Sequence, residues 1–111
     1  MATAYKVLGR KAAAATTEEA LYTVPSSTEA VVSTIVICNR AAASKTFRIA
    51  VKPTSGTSLA NEHYLAYDIA IAANDSTALT LGITLAASNS ISTYASSADL
   101  TFTAFGSEIT A

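Results

Sequence analysis

An all-β fold, built as two antiparallel sheets packed face to face, is the architecture this chain predicts. Three observations lead there: short apolar segments recur along the 111 residues, turn signals separate them at close intervals, and no stretch carries a helical apolar stripe. About eight such segments are visible, and an antiparallel β-sandwich is the natural way for that many short strands to bury their apolar faces. Jelly-roll-like and immunoglobulin-like windings fit the pattern equally well. With no tryptophan and one cysteine, the Cys…Trp…Cys signature of antibody domains is missing. No repeat of roughly 20–50 residues stands out, which disfavours propellers and solenoids.

Along the chain, Ala4–Leu8 reads as a short terminal strand or an arm laid on a partner, broken by Gly9-Arg10-Lys11. Residues 1–20 together form a candidate N-terminal arm or connector to a single domain spanning 1–111. Lys11–Ala20 has an alanine run and a capping-box pattern from Thr16 to Glu19, yet offers no amphipathic stripe, so a loop or extended connector is expected. Leu21–Val24 is a strand stopped by Pro25, and Ser26-Ser27 turns the chain.

The segment from Leu21 to Pro53 organises the remainder as an entering strand, a long apolar strand and a returning strand. In Glu29–Cys38 both faces are apolar: Val31, Ile35 and Ile37 on one, Ala30, Val32, Val36 and Cys38 on the other. A strand of that kind is expected to be covered on both sides. Phe47–Lys52 alternates, with Phe47, Ile49 and Val51 inward and Arg48 and Lys52 outward. Those two cations either pair with acids of a neighbouring strand or subunit or simply hydrate, hydration being the favoured reading.

Pro53–Asn61 is an exposed loop by composition. Tyr64–Ile71 alternates Leu65, Tyr67, Ile69 and Ile71 against Tyr64, Ala66, Asp68 and Ala70, and Asn74-Asp75 ends it. Thr77–Leu85 reads as two short strands with a bulge at Gly82. Ser88-Asn89-Ser90 turns into Ile91–Ala95, Ser96–Asp99 turns again, and Leu100–Phe105 closes the domain with Leu100, Phe102 and Ala104 on one face.

Composition narrows the function classes. Charged residues make up 14%, against about 25% in ordinary soluble domains, which suggests that part of the surface is an interface. The net charge of −1, with basic residues dispersed, gives no case for nucleic-acid binding. No uncharged apolar run reaches about 18 residues, so no membrane span is expected. No apolar segment of the secretory kind follows the first lysine, so synthesis in a cytoplasm is expected. The lone Cys38 sits mid-strand and reads as a buried small hydrophobe.

Chemistry is sparse. His63 stands at a loop-to-strand junction without partners on its own face, so a structural role outweighs a catalytic or metal-binding one. No nucleophile–base–orienter set, P-loop, zincin or EF-hand pattern occurs, and no enzyme activity, cofactor or metal is expected. The five tyrosines fall in separate segments or, for Tyr64 and Tyr67, on opposite faces of one strand, and so form no platform for a sugar.

Several segments carry a resemblance. Leu21-Tyr22-Thr23-Val24-Pro25, the Val31–Arg40 strand and Thr46–Val51 resemble small virion proteins of tailed bacteriophages. Tyr5–Gly9, Asn61–Asp68 and Phe105–Ile109 resemble members from phages of cyanobacteria in particular. The likeness covers nearly the whole chain and lies in strands and turns, not in catalytic residues. It implies a structural virion protein, made in the host cytoplasm and docked in repeated copies, most simply as a capsid cement or decoration protein. Implied partners are the major capsid protein or tail and neck components, together with copies of itself, a trimer being one form. Alternatives are a neck, tail, baseplate or fibre-base component, and a host-receptor or glycan-binding module. Residues expected at protein contacts are Tyr5, Val7, Ala30, Val32 and Val36, with Arg48 and Lys52 on a neighbouring outer face.

Overall fold

Strand alternation sets the inner face of the segment that closes the chain: Leu100, Phe102 and Ala104 are fully buried, while Phe105 is exposed. The computed structural model describes residues 2–110, in which nine strands occur. They are β1 (Ala2–Ala12), β2 (Glu19–Thr23), β3 (Thr28–Asn39), β4 (Lys45–Lys52), β5 (Tyr64–Ile71), β6 (Ser76–Leu79), β7 (Ile83–Leu85), β8 (Ser90–Ala95) and β9 (Leu100–Thr110). One sheet, here sheet A, has the order β1-β9-β3-β6, with β7 also paired to β3; sheet B has the order β2-β8-β4-β5. Every pairing between named strands is antiparallel. The all-β sandwich is therefore the observed fold.

β6 and β7 are the two short strands expected, pieces of one edge strand; in place of the bulge expected at Gly82, residues 80–82 interrupt the pairing, with Gly82 at φ +64°. Counted so, the chain is a long hairpin: β4 pairs with β5, β3 with β6 and β7, β2 with β8, and β1 with β9. Folding that hairpin on itself adds β9 beside β3 and β8 beside β4. This winding is a jelly roll, one of the two topologies the sequence left open. Consecutive strands β2, β3 and β4 thus alternate between sheets, and the Leu21–Pro53 segment is no local ribbon.

The core lies between the sheets. Phe47 of β4 and Phe102 of β9 meet edge-to-face, with ring centroids 6.3 Å apart at 76°, and both are fully buried. Ile35, Ile37, Ile49 and Ile91 complete the fully buried layer. Each such side chain contributes about 1.5–3 kcal/mol through apolar burial. Buried Asn39 locks the end of β3: its Nδ2 donates to the carbonyls of Ala43, Ile71 and Ala72, and its Oδ1 accepts from the Ala41 amide. Lys11–Ala20 contains no helix, as expected; β1 runs on through Gly9-Arg10-Lys11, and Ala15 bridges to Ala95.

Two register shifts reverse a strand-face assignment. In β3, pairing to β9 skips Ser33, between the partners of Gly106 and Phe105, and in β1 it skips Leu8, between the partners of Phe105 and Ala104, so both extra residues adjoin Phe105. Ala30 and Val32 before the shift, and Ile35 and Ile37 after it, consequently all face inward. Val31, Val36 and Cys38 are half-buried on the outer side. Within the described residues, no further layer covers that side, so the expected two-sided coverage of β3 is corrected to one. Cys38 is likewise half-buried and not enclosed.

Gly106 is required where the ladder is pinched. A Cβ there would sit 2.0 Å from the Val31 carbonyl oxygen and 3.0 Å from the Val32 Cα, both backbone atoms that cannot swing aside. Gly106→Ala is expected to cost about 1–3 kcal/mol through overpacking, read as a lower urea midpoint at constant slope. Gly56→Ala, where nothing lies within 4 Å, should leave the midpoint nearly unchanged.

Candidate functional site

The large apolar side chains left in solvent fall mainly into two groups. On sheet A, Tyr5 (87% exposed), Val7 and Phe105 share the outer face. Register explains their grouping: Val7 pairs with Phe105, and Tyr5 with Ser107, which in turn pairs with Val31. An open groove of about 540 Å³ runs among Tyr5, Val7, Val31, Ser33 and Phe105. On sheet B, Leu65, Tyr67 and Ile69 are exposed along the edge strand β5. Leu81, in the link between β6 and β7, stands apart from both.

Two register shifts in β5, one spanning Tyr67 and Asp68 and one at Leu65, build the second group. Asp68 takes φ +50°, a left-handed conformation that aspartate tolerates better than most residues. The shifts bring Tyr64 and Tyr67 together edge-to-face at 4.9 Å, which overturns their expected placement on opposite faces. They also turn Ala66 inward, to 8% exposure. Arg48 of β4 lies between two rings, its Cζ 4.2 Å from the Tyr67 centroid and 4.4 Å from that of Tyr94. Its Nε and Nη2 donate to the two carboxylate oxygens of Asp68, at 2.6 and 3.3 Å. That side-on pair holds Asp68 below the usual carboxylate range and raises Arg48 further. Beside it, a cleft of about 10 Å³, room for roughly one water, is lined by Tyr64, Tyr94, Leu59 and Glu18.

Of the residues expected at contacts, Tyr5 and Val7 are exposed and adjoin Phe105, and Val36 is half-buried on the same sheet's outer side. Ala30 (2%) and Val32 (0%) are core residues, because the skipped Ser33 moves them to the inner face; they are withdrawn from the contact set. Arg48 and Lys52 do not simply hydrate. Lys52 is 5% exposed under the Lys11–Ala20 connector, and its Nζ donates to Glu18 Oε2 at 2.7 Å and to the Ser55 carbonyl. Glu18 also accepts from the Ser92 hydroxyl, and these two donors depress its pKa. His63 serves structure: its Nδ1 accepts from the Ala60 amide at 3.0 Å.

Residues 107–110 were not assigned by strand pattern, so Glu108 was missed. It extends the inward parity of β9 and takes a 2.5 Å hydrogen bond from the buried Tyr22 hydroxyl and a 2.6 Å ion pair from Lys6. Lys6 and Tyr22 hold the Glu108 carboxyl below its ordinary pKa, while burial, and then Glu108, push Tyr22 up. Among the described residues, no three of His, Cys, Asp and Glu converge as metal ligands. Comparison with protein-family models and with curated proteins finds no match.

The Glu108 triad gives a pH prediction. A carboxylate depressed in the folded state stabilises fully above its unfolded pKa, and that stability is lost as pH falls through the folded value. Unfolding free energy should therefore decline below about pH 4.5. In Glu108→Gln the decline should be shallower, with Glu18 and Asp68 supplying the rest, as followed by urea titration at a series of pH values.

Proposed function

We propose that this chain is a non-enzymatic structural protein of a bacteriophage virion, acting as a capsid cement or decoration protein. The observation that carries the reading is the outer face of sheet A: Tyr5, Val7, Val31 and Phe105 form an apolar row around an open groove. Aromatic residues on a face poor in charge suit a protein-docking surface. The low charge content and the resemblance of the strand and turn segments point the same way. The mechanism is mass action: a protein that binds only the assembled shell stabilises that shell by its binding free energy. The jelly roll supplies the sheet that brings the docking residues of β1, β3 and β9 onto one face.

Particles lacking the protein should lose heat and osmotic resistance, and adding the purified chain back should restore both. Phe105→Glu should weaken rebinding to depleted particles at least about tenfold with the circular dichroism spectrum unchanged, since central aromatic anchors dominate such contacts. Unchanged particle resistance would sink the cement reading. Antibody label confined to the neck, tail or baseplate would move the protein to that station while leaving its structural role intact.

A second reading draws on Tyr64, Tyr67 and Tyr94 gathered around Arg48 and Asp68. Rings, a guanidinium and a carboxylate on one surface are the groups a glycan-binding module presents. Binding of host envelope polysaccharide, lost in Tyr67→Ala and kept in Phe105→Glu, would favour that reading over cementing.

A further inference from the structure

A sandwich has four sheet edges, and three of these carry a device that blocks further pairing. The β6–β7 edge consists of pieces four and three residues long, interrupted at Gly82 with φ +64°. The β5 edge is broken by two register shifts and the left-handed Asp68. The β2 edge is five residues long, shifted at Leu21, and covered by β1, as the 2.3 Å clearance between a Cβ at Gly9 and the Leu21 carbonyl oxygen requires. Short strands, bulges and covering elements are the usual guards of an edge.

The fourth edge has its one bulge at Leu8, beyond a regular stretch that carries none of these devices. β1 is eleven residues long and contains no proline, and its first six residues, Ala2–Val7, are all exposed. They pair with β9 in unbroken register from Ala2↔Thr110 to Val7↔Phe105, so one side of this stretch has no strand beside it. A charged side chain can guard an edge, but the only one here, Lys6, is tied at 2.6 Å to Glu108 of its own sheet.

We propose that β1 pairs antiparallel with β1 of a second copy, joining the two A sheets about a two-fold axis centred on Tyr5. This deepens the docking role of the outer face and rests on that reading. The strand's own sequence selects the occupant and the register. A two-fold axis normal to the sheet keeps the outer faces on one side, so it passes through a single residue position. Centring on Lys6 would set two lysines opposite each other, a repulsive pair. Centring on Ala4 also separates the lysines but places two alanines at the centre; centring on Tyr5 sets tyrosine against tyrosine, the stronger aromatic cross-strand pair, with Thr3 against Val7 and Ala4 against Lys6. Each lysine then faces an alanine and keeps its own carboxylate, so the joint is electrically neutral. A strongly charged foreign strand would find no uncompensated charge to recognise there. The joined sheet would also place both copies' Tyr5–Val7–Phe105 rows on one continuous face.

Sedimentation equilibrium of the full chain across a dilution series should give twice the monomer mass at the concentrated end. The register is tested by cross-linking. In the Tyr5→Cys, Cys38→Ser variant the two thiols face each other across the axis, at a Cα separation of about 4.5–5.5 Å in an antiparallel pair, which suits a disulfide. Mild oxidation should convert most of that variant to a covalent dimer. The Thr3→Cys, Cys38→Ser variant, whose thiols lie on opposite sides of the axis, should cross-link at least tenfold more slowly. A chain that stays monomeric throughout, or a dimer that cross-links through Thr3 as readily as through Tyr5, overturns the proposal. A monomer that still rebinds depleted particles overturns this inference alone. A Tyr5-linked dimer that does not bind particles leaves it standing and removes the virion reading.

Discussion

One extra residue on either side of β9 decides what this protein shows to its surroundings. Ser33 in β3 and Leu8 in β1 are skipped on the two sides of Phe105, one pair apart along the ladder. Each skip changes the parity of its strand, so apolar residues that count as one face in sequence become two faces in space. In β3 the change gathers Ala30, Val32, Ile35 and Ile37 into a single buried layer. In β1 it leaves Val7 outward, beside Phe105, and turns Gly9 against β2. The pinch is tolerated because Gly106 has no Cβ to meet the Val31 carbonyl. The core and the exposed apolar row therefore share one cause.

Sequence pattern revealed the fold class and most element positions because both depend on local chemistry. Pro25 stopped a strand, Gly82 split one, and the strict alternation of Phe47–Lys52 and Leu100–Phe105 identified the inner residues of β4 and β9. Pattern failed wherever an inserted residue carried no compositional mark. Ser33 and Leu65 are ordinary strand residues, and Asp68 enters the left-handed region without a glycine to announce it. The consequences were largest at the candidate sites, where Ala30 and Val32 changed sides and Tyr64 met Tyr67. Strand order was illegible for a different reason: pairings between residues some hundred positions apart leave no trace in local periodicity.

The polar interior follows a consistent rule. Lys52, Asn39 and Tyr22 are each buried with their polar atoms paired, and no buried side-chain nitrogen or oxygen among the described residues lacks a partner. Two of the pairings pin chain segments that make few ladder bonds of their own. Glu18 fastens the connector between β1 and β2 over the outer face of sheet B, and Asn39 fastens the loop after β3. These contacts stabilise less by their own energy than by leaving no buried charge or amide unpaired.

The hairpin winding has a kinetic corollary. Pairing proceeds naturally outward from β4 and β5, the neighbours along the chain, and the last zipper to close joins Ala2 to Thr110. Closing so wide a loop comes late and slowly, because its entropy must be met before any contact rewards it. By the same reasoning β1 is the first strand to lift away when the molecule breathes. The strand richest in exposed side chains is thus the one the rest of the structure can most readily spare.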